Sequence, residues 1–502
     1  MHLRYLGPAS ILVGGSWLTH LALAATFGGA TPTAPFQLIP NGNAKDNGCR
    51  TGGIGGINVT EPSWVPAIRR DHRKKVMEGM VMESHVTHED FPFNHDSHDM
   101  CFFIAPDPPY VGMMSDANGT SSGVRSLEAE WETKHFPVSF WPAKGDRAWV
   151  IGRHVFDCGH PPYRTEIHPP VGAAFTQIEP FIFPGTSDPV MASKTKIYFG
   201  NQGGYYVDRV GGTDYIINVP MPTSPGPGST PILRVTRRPS GRLPEPILTV
   251  KPVGTRQMLE IKIPLSTVAD PTPRWDLYEW IPRNRAGLAQ RPPRPVPMDR
   301  PTNVFQYSAE VAAAWTAGPA ARIGTPGVRF MRVTFNNVKV HDASEGAVSG
   351  NGEWNMQFRA NREWIQFPER SVDDGDTIQI NQIADMFITD GGKVEIQANG
   401  WEDDNDGSFR VGMPPNISNI GAKNENEKLG PILVSYGAAQ NYGVGTKSVR
   451  SSDGRYTLTF TIQELRKFAP KGGVLGNIGG RIGGGAVVRP PIRGSTGGGG
   501  LN

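Results

Sequence analysis

Apolar and polar residues alternate in short runs along most of this chain, and few stretches hold a helical period for two turns. Residues 100–104 (MCFFI) form a brief apolar run closed by Pro106, Asp107, Pro108 and Pro109; 127–133 alternates apolar with acidic residues, and 147–156 is rich in β-formers. Segments of this length bounded by Pro and Gly read as strands. A second series runs through 196–207, 214–219, 232–236 and 247–263, and a third through 328–340, 354–367, 377–388, 394–400, 432–436 and 456–462. This spacing predicts a mostly β, multi-domain protein of antiparallel β-sandwich or barrel architecture with few short helices. Two helices are expected. One lies in 66–82, where Val76, Met77 and Met80 ride on a charged stretch, and the other spans 309–316.

Segments that lack the strand pattern divide the chain. Residues 1–25 carry Arg4, an apolar run and Ala22, Leu23 and Ala24, which predict a secretory signal peptide and hence a secreted or periplasmic protein. An extended leader (26–65) precedes a His-rich β domain (66–175) and a β-sandwich layer continuing it (176–281). A Pro/Arg linker (282–304) then leads to a second sandwich (305–468) and a Gly-rich disordered tail (469–502). No fixed period argues for a solenoid or propeller.

Composition sharpens this picture in three ways. With 61 Gly and 46 Pro in 502 residues, long helices are disfavoured. The net charge of +3 is too small to imply a nucleic-acid partner. Three cysteines, Cys49, Cys101 and Cys158, allow at most one intrachain disulfide.

Histidine is the strongest chemical signal. Of 12 His, nine fall between His72 and His168, where even spreading would put about two. Imidazole and carboxylate are common ligands of zinc and similar ions, and an open coordination position makes such a site catalytic. His95, His98 and Asp99 in one segment, with His160 and His168 in another, form the expected ligand set. Residues two apart on a strand share a face, which places Glu166 beside His168. Glu166 and Asp157 are then the expected catalytic carboxylates, orienting a ligand or taking a proton from the water. Zinc leads among the divalent ions, with copper and manganese as alternatives; copper competes because Met77, Met80 and Met82 precede His85 and His88. The chain has no HExxH helix, paired CxxC, GxSxG elbow or P-loop.

The stretch 152–170 (GRHVFDCGHPPYRTEIHPP), with 95–110 and 127–132, resembles a group of exported bacterial proteins that carry a W-x-x-D-x-G-H-P…T-E-I-H-P signature. No activity is established for that group. The resemblance implies that Asp157, His160, Glu166 and His168 belong together. The chain departs from the pattern before Asp157, where Val155 and Phe156 stand. Residues 394–412 (VEIQANGWEDDNDGSFRVG) are similar to the strand, acidic loop and strand of C2-type sandwiches. That likeness implies calcium ligands at Asp403, Asp404 and Asp406, and peripheral membrane contact.

Two functions follow as expectations. The first is a secreted metal-dependent hydrolase of an ester, phosphoester or amide. The second is a non-catalytic binding or surface-associated protein, taking a small molecule, glycan or surface ligand, in which the His cluster is structural.

Overall fold

A computed structural model describes residues 37–49, 64–87, 98–158, 162–200, 208–254, 256–270, 305–316, 326–343, 352–402 and 427–470, with strand backbone also at 51–54, 57–60, 202–203, 206–207 and 275–276. The expected signal peptide, Pro/Arg linker and almost all of the Gly-rich tail lie outside these residues. So do His88, His95, His160, Asp403, Asp404 and Asp406.

The protein is mostly β, built from antiparallel sheets that form a barrel and a sandwich. Five strands make the barrel: Lys74–Val86, Asp99–Pro106, Leu127–Glu132, Arg147–Asp157 and Thr165–Phe181. The first pairs antiparallel with the second and fourth, and the second with the third. The third runs parallel to the fifth at Glu128/Glu166 and Ala129/Ile167, and the fifth returns antiparallel to the fourth, closing the ring. Counted in chain order, the ring reads 1-2-3-5-4-1. This is the order of the five-stranded Greek-key barrel called the OB-fold.

Strand alternation fills the barrel. Met77 and Val81, Met100, Phe102 and Ile104, and Leu127, Ala129 and Trp131 all point inward and are buried. The helix expected over 66–82 is instead the strand Lys74–Val86. Its inward positions Met77, Gly79 and Val81 follow a period of two, and a bulge between Val81 and Glu83 restores the alternation towards Ser84 and Val86. Gly79 is required by close approach, since a Cβ there would lie 2.1 Å from the Ala105 carbonyl oxygen. Met77 belongs to this core, where it is fully buried.

The long Thr165–Phe181 strand leaves the barrel and pairs with Val190–Gly200, which continues to Gln306–Trp315 and Pro231–Arg237. The helix expected at 309–316 is therefore a strand. It lies in the sheet of the N-terminal half rather than in the C-terminal sandwich. Tyr307, Ala309, Val311 and Ala313 face one apolar cluster while Ala312 and Ala314 face another. With both faces covered, packing overrides the helix propensity of the alanines. A three-stranded sheet of Asp214–Pro220, Arg256–Pro264 and Ile247–Val253 packs over the same cluster through Ile217, Leu259 and Ile261.

Two four-stranded antiparallel sheets form the C-terminal sandwich around one core that includes Phe335, Trp354, Phe358, Ile396 and Phe460. A turn of this sandwich locks onto the barrel. The Trp364 indole donates to the Pro142 carbonyl at 2.8 Å, and Arg362 Nε lies 2.9 Å from Asp146 Oδ1, with both charged groups buried. Trp401 adds an indole hydrogen bond to the Val86 carbonyl at 3.0 Å. A disulfide joins Cys49 to Cys158, and Cys101 takes no part in it.

Candidate metal centre

Barrel geometry sorts the acids before any chemistry is considered. In Leu127–Glu132 the apolar residues face the core, so Glu128, Glu130 and Glu132 line up on the outer side. The neighbouring strand sets Phe103 opposite Glu128, Cys101 opposite Glu130 and Asp99 opposite Glu132. Across the parallel closure Glu166 sits beside Glu128, with His168 two residues further along its strand. A pair of prolines follows His168 where a register shift interrupts the ladder to Arg147–Asp157, a place where the strand tolerates them.

Such an outer face would ordinarily meet water, yet this one is covered. Asp99, Glu132 and His168 have no exposed surface, Cys101 and Glu166 are 1% exposed, and Glu128 and Glu130 are 7% and 6% exposed. Two groups of donors converge there: Glu130, Glu166 and His168, and Cys101, Glu128 and Glu130, with the ligand atoms of each group within 4.8 Å of one another. His168 Nδ1 lies 3.3 Å from Glu130 Oε2, and Cys101 Sγ donates to Glu130 Oε1 at 3.5 Å. On its other side the His168 ring stacks on Trp64, centroids 4.3 Å apart.

The electrostatics are those of crowded acids out of water. Burial pushes the Glu166 carboxyl well above the usual range, and the neighbouring Asp157, Glu130 and Glu128 add to it. Burial, then Glu130, pushes Glu128 up to about 8, against the pull of Arg164. Arg164 lies 3.2 Å from Glu128 Oε2 and 3.8 Å from Asp157 Oδ2. Glu166 Oε1 is buried and accepts no hydrogen bond among the described residues. A divalent cation fits this donor set, because it replaces the protons that burial would otherwise force onto the carboxyls. A cavity of about 160 Å³ opens beside the cluster, lined by Glu128, Arg164, Phe103, His85, Asn118 and Ser121 among others.

The sequence-derived residues are distributed as follows. His168 and Glu166 belong to the same donor group, and Asp157 is a close buried neighbour. His98 turns its Nδ1 to the Thr87 carbonyl at 2.9 Å, and neither it nor Asp99 belongs to a donor group among the described residues. His154 is likewise tied to a carbonyl, that of Met113 at 2.8 Å. Glu128, Glu130 and Cys101 were not singled out as ligands from the sequence. The alternation LEAEWE did mark the glutamates as one strand face, but not that the face is buried.

Neither a family model nor a curated protein matches the chain. Partial likeness to solved structures includes the two C2 domains, A and B, of extended synaptotagmin 2, at 11% identity over 28% of this chain and 43% of that one, TM-score 0.20. The calcium-bound form of those domains gives 10% identity, 28% and 47% coverage, and TM-score 0.21. The SMP domain together with both C2 domains gives 9% identity, 79% and 62% coverage, and TM-score 0.20. The chain thus spans less than two thirds of each of these proteins. The likeness to C2 domains is weak and carries no argument about function.

Proposed function

We propose that this chain is an exported metal-dependent hydrolase acting on an ester, phosphoester or amide. The observation that carries the reading is the buried Glu130, Glu166 and His168 group beside the cavity of Glu128 and Arg164. A divalent cation held there supplies Lewis-acid activation of water and of the substrate's carbonyl or phosphoryl oxygen. Carboxylates with imidazole suit zinc and manganese.

The chain's own residues supply the remainder. Trp64 fixes the plane of the His168 ring, and Glu130 holds its Nδ1 side. Arg164, about a third exposed, is placed to meet substrate oxygens at the cavity. Asp157 stands outside both donor groups and next to Arg164, positioned to take a proton from the attacking water. In OB-fold barrels, oligonucleotides and oligosaccharides bind on the face of strands two and three and on the loops beside it. That face is where the cluster sits, although fold analogy locates a site without identifying its chemistry. The Cys49 to Cys158 disulfide supports export, since such bonds persist in oxidising compartments.

The test is metal content by mass spectrometry on untagged full-length protein, with hydrolysis of ester, phosphoester and amide substrates before and after chelation. Near-stoichiometric zinc or manganese, lost together with hydrolysis in His168→Ala, is the expected result. A folded wild type that takes up no ion on dialysis overturns the reading. The strand order also favours a non-catalytic binding module, which a metal-loaded but hydrolytically inert wild type would select.

A further inference from the structure

We propose that the centre holds two cations, the second bound by Cys101 and Glu128 and bridged to the first by Glu130. The inference rests on the metal-dependent reading above and extends it to a site of its own.

Glu130 carries the argument. Its two carboxylate oxygens face different donors: Oε1 lies 3.5 Å from Cys101 Sγ, and Oε2 lies 3.3 Å from His168 Nδ1. The strand ladders produce this divergence. Cys101 is directly opposite Glu130 on one side, while the parallel closure brings the strand of Glu166 and His168 to the other. The two donor groups therefore share one residue and differ in all the others. A carboxylate with one oxygen on each side is the bridge of two-metal centres, whose ions sit roughly 3.5–4 Å apart.

Charge points the same way. Asp157, Glu128, Glu130 and Glu166 interact as one cluster, with Arg164 as the cation acting against them. As carboxylates, together with the Cys101 thiolate of the second group, they leave a net charge of about four negative, which one dication cannot neutralise and two can. Glu166, a member of the first group, has a buried Oε1 that accepts no hydrogen bond among the described residues. Glu128 belongs to the second group and also lines the cavity. The second cation is therefore the one that meets an incoming ligand. A thiolate donor among carboxylates selects zinc or cobalt there over magnesium or calcium.

The experiment loads the metal-free full chain with zinc and counts bound ions by native mass spectrometry, with circular dichroism as the folding control. Wild type is expected to hold two ions, and Cys101→Ser one. Loading with cobalt should give a thiolate charge-transfer absorption in wild type that Cys101→Ser abolishes. With manganese, wild type should show an exchange-coupled spectrum by electron paramagnetic resonance, and Glu130→Gln only uncoupled ions or none. One ion in wild type, with hydrolysis intact, overturns the second site while leaving the mononuclear hydrolase standing. Two ions that persist in Cys101→Ser, without a thiolate band in wild type, overturn the assignment of donors. No ion in folded wild type overturns both readings.

Discussion

The Trp64 indole lies almost parallel to the His168 imidazole, with ring centroids 4.3 Å apart and planes 11° from parallel. Trp64 comes from a three-residue strand that pairs with the end of Arg147–Asp157, at Asp157 itself. One short strand thus reaches both a candidate ligand and the carboxylate proposed to take the proton. Trp64→Ala should weaken zinc binding by about 10–100-fold, the usual effect of removing a group that orients a ligand. It should also lower stability by about 3–5 kcal/mol. Trp64→Phe, which keeps a ring over His168, should recover most of the affinity. Competition titration against a chelator reads the first effect, and urea unfolding reads the second.

In the proposed mechanism Arg164 opposes cations while serving substrate. Arg164→Gln removes a positive charge close to Glu128 and Asp157. Zinc affinity should rise by roughly tenfold, a modest gain because solvent reaches this side chain. Turnover should fall in the same variant. A calorimetric zinc titration alongside the hydrolysis assay checks the opposed signs, and a fall in both quantities would deny Arg164 this role.

Acid sensitivity should arise at His154. Burial pushes this imidazole down to about 4, although the Met113 carbonyl favours its charged form. Between about pH 6.5 and 4 the unfolded chain accepts a proton that folded His154 refuses, so stability falls as pH drops through that window and the loss levels off below it. The full contribution is roughly 3 kcal/mol. Urea midpoints at pH 7, 5.5 and 4 should decline less steeply in His154→Gln than in wild type.

The barrel and the sandwich are joined through Arg362, whose buried guanidinium meets Asp146 at 2.9 Å and Glu179 at 3.4 Å. Arg362→Ala leaves Asp146 buried without this counter-charge and should destabilise the protein by about 3–5 kcal/mol. Arg362→Ala with Asp146→Asn should cost less than Arg362→Ala alone. A double-mutant cycle by denaturant unfolding measures that difference.

The β class was legible because strand alternation and Pro/Gly punctuation agree along much of the chain. Local pattern misled where two periods competed. Val76, Met77 and Met80 fit a helical face, but Gly79 and the bulge after Val81 make sense only against the partner strand Asp99–Pro106. The alanines of Gln306–Trp315 suggested a helix until both faces of the strand were covered. At the site, the two-residue spacing of Glu166 and His168 carried real information, since strand geometry alone puts them on one face. Glu128 and Glu130 could not be chosen in the same way. Their partners arrive through barrel closure, which joins the 127–132 segment to a strand more than thirty residues away. The histidine count did not foretell that His98 and His154 turn to backbone carbonyls.

Cys158 follows Asp157 directly, and its partner Cys49 lies 109 residues earlier in the chain. Closing a loop of that length restricts the unfolded chain by roughly 4–5 kcal/mol in the chain-entropy account. Where thiols stay reduced, that tie is missing at the edge of the acid cluster, and a cation offered to the proposed centre too early would meet an unfinished wall. On the proposed metal-dependent reading, maturation has a sequence: oxidation first, loading second. An ion bound at the proposed centre would then be drawn from the supply of whichever compartment completes the disulfide, set by destination rather than by birthplace.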